Sequence, residues 1–205
     1  MLEVFHGTCS FFDRFEQTNS RVVNDFYGGG VAYFTDDRNI AKKYASSMSK
    51  VKNVNSRIVY TVKLSLKRTF DVDKVFTGKE LLGFYKPSES EKFARDAGLL
   101  KFGVDKFQVI ADLKTGNIKL RGDEIFRGLS LGMIKTKNAR EKLISLGFDS
   151  LRYNGNQNKL SEKNHNVYLV YNSNDITITD RTLLINKLYN EHLPNHNIKF
   201  SVEED

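Results

Sequence analysis

His6, Gly7 and Thr8 stand together near the start of this 205-residue chain, and Cys9 follows at once. A thiol three residues from an imidazole has the parts of a nucleophile and its base. Both fall at the end of one short strand, which does not turn two such side chains toward each other, so Cys9 is expected to be a buried residue. His192 and His196 have the four-residue spacing of paired metal ligands, but Pro194 between them breaks the helical face that spacing needs. A solvated tail is the expectation there, and no metal site is expected. Gly28-Gly29-Gly30 fails the G-x-G-x-x-G spacing of a dinucleotide fingerprint and precedes a strand instead of a helix. What remains is His6 beside a glycine and a hydroxyl, two tyrosines (Tyr33 and Tyr44), and the polar residues Glu162, Asn164 and Asn166. Taken singly, each has an ordinary explanation. His6 suits a hydrogen-bonded strand end, the tyrosines a core, and Glu162 a solvated loop.

The elements that must position these residues follow from periodicity. Leu2 to Phe5 alternates apolar and charged and reads as a strand ending at His6-Gly7. Residues 9 to 25 read as loop, and Val31 to Phe34 as a strand after the three glycines. Thr35 is the expected cap of a helix of about three turns, with Asp36 and Asp37 in its first turn and Ile40, Ala41, Tyr44 and Ala45 on one face. Arg57 to Leu66 carries the strongest strand alternation. Lys79 to Phe84, Glu89 to Leu100 and Asp123 to Leu131 read as helical, and Phe107 to Ala111 as a weak strand. The whole stretch from about 78 to 134 is treated as a partly helical insertion. Ala139 to Leu146 is expected as a helix stopped by Gly147, Phe148 to Tyr153 as a strand, and Asn154 to Asn166 as a loop. Val167 to Tyr171 and Ile176 to Ile178 are expected late strands, and Thr182 to Glu191 a terminal helix. The class is α+β: one domain over residues 1–205 with a small mixed sheet.

Composition narrows the field. Apolar residues make up 40% and charged residues 28%, which is too rich in core formers for a disordered chain. No stretch has the length of about 18 apolar residues that a membrane helix needs, and the N-terminus lacks the basic and apolar regions of a leader. The lone Cys9 excludes an internal disulfide framework and points to a reducing cytoplasm. A net charge of +7 and a pI near 9.3 raise nucleic acid as a partner, although the basic residues are scattered.

Three separated pieces together resemble a known family. They are His6-Gly7-Thr8; Gly28-Gly-Gly-Val-Ala-Tyr33-Phe34-Thr-Asp with Ala41-Lys-Lys-Tyr44-Ala; and Leu146-Gly-Phe-Asp-Ser-Leu151 followed by Val167-Tyr-Leu-Val-Tyr171. Their order and spacing are similar to those of the ADP-ribosyltransferases of the diphtheria-toxin and poly(ADP-ribose) polymerase type, especially the small versions of phages and mobile elements. The resemblance covers roughly residues 2–66 and 139–178 and leaves 78–134 unmatched. It implies a split mixed β-sheet with flanking helices, NAD as substrate and no metal.

By the same resemblance, His6 hydrogen-bonds the adenosine-side ribose, Gly7 and Thr8 hold the nicotinamide carboxamide, and Tyr33 and Tyr44 sandwich the nicotinamide ring. Polymerase-type members carry a glutamate where this chain has Val167, and members with a hydrophobic residue there make single transfers or are inactive, so chain elongation is not expected. Glu162 is the expected replacement acid, and Asn166, Asn164 and Asn154 are uncharged candidates for the ribose. Asp149 is expected to fix a turn. The implied activity is mono-ADP-ribosyl transfer, with release of nicotinamide, to a macromolecular acceptor: a host protein if the source is a phage, with nucleic acid as the other candidate. No acidic pair of the arginine-modifying branch is found. An inactive module that binds protein or nucleic acid, and an NAD glycohydrolase, are the competing readings. The stretch 78–134, with Phe102, Phe107 and several lysines, is the expected substrate-facing element.

Overall fold

In the computed structural model, which describes residues 1–16, 27–155, 164–185 and 201–204, the chain groups into two compact units. Unit one is residues 1–18, 31–66 and 154–205, and unit two is residues 19–30 and 67–153. In chain order the elements begin with β1 (Leu2–Thr8), β2 (Ala32–Thr35), α1 (Arg38–Lys52), β3 (Ile58–Leu64), β4 (Thr69–Asp71), β5 (Val75–Phe76) and α2 (Lys79–Leu82). Next come α3 (Ser90–Asp96), α4 (Lys106–Thr115), β6 (Leu120–Arg121), α5 (Gly122–Leu129) and α6 (Thr136–Ser145). The last are β7 (Ser150–Asn154), β8 (Asn166–Val170), β9 (Ile176–Ile185) and β10 (Ser201–Glu204). The fold is mixed α+β.

Unit one is built on strands in the order β10-β9-β3-β1-β2-β8, antiparallel except for the parallel β10/β9 pair. Alternation in β3 sends Ile58, Tyr60, Val62 and Leu64 to one face, where they pack with Val4, Phe15, Phe34 and Val170. Val59 goes to the other face and meets Phe5, Leu184 and the Ala41 and Ala45 of α1. Small residues at those two helix positions let α1 lie close on β1.

The helix begins later than Thr35. Asp37 is the N-cap, accepting from the backbone N–H groups of Asn39 and Ile40, while Thr35 Oγ1 accepts from the Asp37 N–H at 3.1 Å. An aspartate accepts the free helical N–H groups as readily as a threonine, so composition did not choose between them. The expected terminal helix is corrected over its first residues. Thr182 to Ile185 continue β9, because Thr182, Leu183 and Leu184 are buried across from Val59 and Ile58. The remaining residues of that expectation, 186–191, lie outside the described residues.

Unit two holds the parallel β4/β7 pair, the antiparallel β5/β6 ribbon and α2 to α6. Its core is aromatic: Phe70 packs against Phe76, Phe84 and Phe148 at ring separations of 5.4–5.7 Å. The weak strand expected at Phe107 to Ala111 is part of α4 instead. Asp105 Oδ1 accepts from the N–H groups of Phe107 and Gln108, and Gly116 closes the far end in the left-handed region. These end signals override a short apolar run. Asp149 accepts from the backbone N–H groups of Lys67 and Arg68, so it holds the chain ahead of β4 instead of its own Gly-Phe-Asp turn.

Candidate active site

β1 pairs with β3 along its whole length, from Leu2↔Leu64 to Thr8↔Ile58. Against β2 it has a single register pair, Phe5↔Thr35. The two central strands therefore part immediately after Phe5, and His6, Gly7 and Thr8 line the β1 side of the gap. β2 is held from its other edge by β8, with Tyr33↔Leu169 and Thr35↔Val167. A sheet that splits at its centre exposes backbone edges without unravelling, because each half keeps an outer partner.

His6 bridges the gap. Its Nδ1 lies 2.8 Å from the Tyr33 carbonyl oxygen, and a carbonyl only accepts, so Nδ1 carries the proton. The ring is edge-on to Phe15 at 5.1 Å and also neighbours Phe34 and Tyr60. Burial lowers the His6 pKa below the ordinary 6.5, and the bond to Tyr33 offsets part of that. The imidazole is thus neutral near pH 7, with Nε2 its unprotonated nitrogen.

This makes stability depend on pH. A folded-state pKa below the unfolded one means that the unfolded chain binds more protons between the two values. Stability is therefore complete above about pH 6.5 and declines as pH falls through the lowered His6 value. Melting temperature measured from about pH 7.5 down to about pH 5 is expected to fall, and to fall less in His6→Asn.

Gly7 has a structural reason to be glycine. A methyl group there would lie 1.8 Å from the Ala41 carbonyl oxygen, so the backbone of α1 fills the space a side chain would take. The same helix carries Tyr44, which is 36% exposed. Alternation along β2 puts Tyr33 on the face of Thr35, which with Phe5 is the face that α1 covers. Both tyrosines are therefore on the α1 side of the sheet, and both are accessible. Thr8 is partly exposed at the end of β1.

Val167 is buried on that same face, across from Thr35. Next to it, Asn166 is joined to Asp36. Its backbone N–H donates to Asp36 Oδ1 at 2.8 Å, its Nδ2 donates to Oδ2 at 2.6 Å, and its carbonyl accepts from the Asp36 N–H at 3.2 Å. The Asn166 amide nitrogen thus ties β8 to the end of β2, a role that sequence reasoning missed. Asp36→Ala is expected to lower stability by about 1–2 kcal/mol, the pair being exposed, as read from a urea midpoint. Asn154 Nδ2 donates to Asn164 Oδ1 at 3.4 Å. Glu162 lies outside the described residues, as do His192 and His196. His165, which the sequence did not single out, is buried beside Gly155, where a Cβ would come within 2.0 Å of its Nε2. Cys9 is buried.

A family model described as "ADP-Ribosyltransferase in polyvalent proteins" matches residues 1–181. The chain belongs to this family. No curated protein and no solved structure matches it. The match to the ADP-ribosyltransferases of polyvalent proteins spans β1, β2, α1 and β8, the elements that hold His6, Tyr33, Tyr44 and Val167. It also spans 78–134, which the resemblance read from sequence left unmatched. ADP-ribosyltransferases use NAD as substrate and transfer its ADP-ribose to an acceptor. Tyr33 and Tyr44 lie on the α1 side of the sheet, whereas the His6 ring packs among Phe15, Phe34 and Tyr60 on the other face. No described helix is long and apolar enough to cross a membrane.

Proposed function

We propose that the chain transfers a single ADP-ribose unit from NAD to a macromolecular acceptor and releases nicotinamide. The observation that carries the single-transfer reading is Val167, buried opposite Thr35 at the position where related polymerases place a glutamate. A valine cannot orient a ribose hydroxyl as an incoming nucleophile, and elongation requires that step.

In this reading His6 Nε2 accepts from a hydroxyl of the adenosine-side ribose, and the backbone of Gly7 with the hydroxyl of Thr8 holds the carboxamide. Tyr33 and Tyr44 stack on the nicotinamide ring, each offset contact contributing about 0.5–1.5 kcal/mol. The bond between ribose C1′ and the nicotinamide nitrogen breaks through an oxocarbenium-like transition state, as in glycoside cleavage. The bonding electrons leave with nicotinamide, which departs neutral because its nitrogen was cationic. An acceptor heteroatom bonds to C1′ and gives up its proton. Glu162 is the proposed group to take it, with Asn166 at the ribose. A host protein in the cytoplasm is the proposed acceptor, and a phage the proposed source.

Incubation with NAD labelled in the adenylate moiety, in a cell lysate, tests this. Discrete labelled bands without a ladder of longer products are expected. A ladder contradicts single transfer, and free ADP-ribose without labelled bands indicates a glycohydrolase instead.

A further inference from the structure

Residues 101–108 are exposed without exception, and they join α3 to α4 in unit two. Within them Phe102 is 109% exposed and Phe107 81%, two full aromatic rings left in water. Burying a phenylalanine is worth about 1.5–3 kcal/mol, so rings this open are uncommon unless something else covers them. Each follows a lysine: Lys101-Phe102 and Lys106-Phe107. The segment is also ordered from within. The Val104 N–H donates to the Lys101 carbonyl at 3.2 Å, and the Lys101 N–H to that of Leu99 at 3.2 Å.

Unit two as a whole is basic. Unit two carries 19 Lys and Arg against 13 Asp and Glu, an excess of six out of the chain's seven. The one acid inside the segment, Asp105, is turned to the N-terminus of α4 as its cap. Lys106 pairs with Glu91 at 2.5 Å, while Lys101 stands exposed beside Phe102.

We infer that residues 101–107 are a contact for single-stranded nucleic acid, with bases stacked on Phe102 and Phe107 and a phosphate beside Lys101. Aromatic faces take any base, and Lys101 beside Phe102 neutralises a linking phosphate. A duplex hides its base faces, so the single strand is the form that fits. An acidic protein would satisfy the lysines but gives no reason for two rings bare on both faces.

Fluorescence anisotropy of the full chain with a labelled single-stranded oligonucleotide of about 20 nucleotides, at about 50 mM salt, tests this. Phe102→Ala and Phe107→Ala are each expected to raise Kd about fivefold or more. Lys101→Ala is expected to reduce the slope of log K against log salt by about 0.7. The rings are solvent-exposed, so these variants fold, which unchanged melting temperatures verify. Absence of binding overturns the inference, as does binding that the double phenylalanine variant leaves unchanged. Capture of poly-glutamate in place of the oligonucleotide also overturns it, in favour of a protein partner. The measurement uses no NAD, so it stands or falls apart from the proposed transferase activity.

Discussion

Gly7→Ala is expected to unfold unit one or leave it severely destabilised. The added methyl meets backbone and not a movable side chain: 1.8 Å to the Ala41 oxygen, 2.7 Å to its carbonyl carbon and 2.9 Å to the Ala45 nitrogen. Neither α1 nor β1 can yield locally. β1 is laddered to β3 over seven register pairs, and Ala41 and Ala45 are fully buried. Relief requires α1 to lift away, opening the packing among Val59, Leu184 and Phe5. Overpacked cores lose about 1–3 kcal/mol when side chains give way, and a backbone obstacle places this change at about 3 kcal/mol or more. That is a large fraction of the stability of an ordinary domain. A urea midpoint near that of the wild type would mean that α1 does not sit on Gly7 as described. The variant would also displace Tyr44, so any loss of NAD binding in it reports the helix and not the Gly7 backbone.

His6→Asn is expected to keep the fold and lose the chemistry. Asparagine places an N–H donor where Nδ1 stands and so retains a bond to the Tyr33 carbonyl, while the acceptor at Nε2 disappears. His6→Gln does the reverse, offering a group at the Nε2 position and abandoning the bridge across the gap. Under the proposed function, NAD turnover in His6→Asn falls about 10–100-fold with a melting temperature close to that of the wild type. His6→Gln melts lower and keeps more of its turnover once folded. Equal turnover in His6→Asn and wild type would confine His6 to a structural role in the bridge.

Much of the frame was legible because local signals agreed with tertiary demands. Alternation of Ile58, Tyr60, Val62 and Leu64 announces a strand, and β3 runs from Ile58 to Leu64. Gly147 at φ 83° ends the helix before β7 as a glycine should. The failures have physical causes as well. Leu183-Leu184-Ile185 is apolar without a break, a pattern equally suited to a helix and to a strand buried on both faces, and only pairing with β3 decides it. Phe107-Gln-Val-Ile-Ala has the side chains of a short strand, and the caps that make it helical, Asp105 and Gly116, lie outside that run. His6, Tyr33 and Tyr44 are proposed as site residues from their order in the chain. The Asp36–Asn166 tie and the clash that makes Gly7 obligatory are long-range contacts that no local pattern encodes.

The absence of an acid at Val167 gives the site its character. Under the proposed function His6, Gly7, Thr8, Tyr33, Tyr44 and Asn166 bind NAD, and a valine at position 167 withholds the electrostatic help of a glutamate there, commonly worth several kcal/mol of barrier. Slow, single transfers are what the proposed function expects. The most direct test is chromatographic measurement of nicotinamide released from NAD by the wild type, Tyr33→Ala and Tyr44→Ala. Measurable release by the wild type, falling about tenfold or more in each tyrosine variant, is the expected result. No release by the wild type, or equal release by all three, would contradict NAD cleavage at this site.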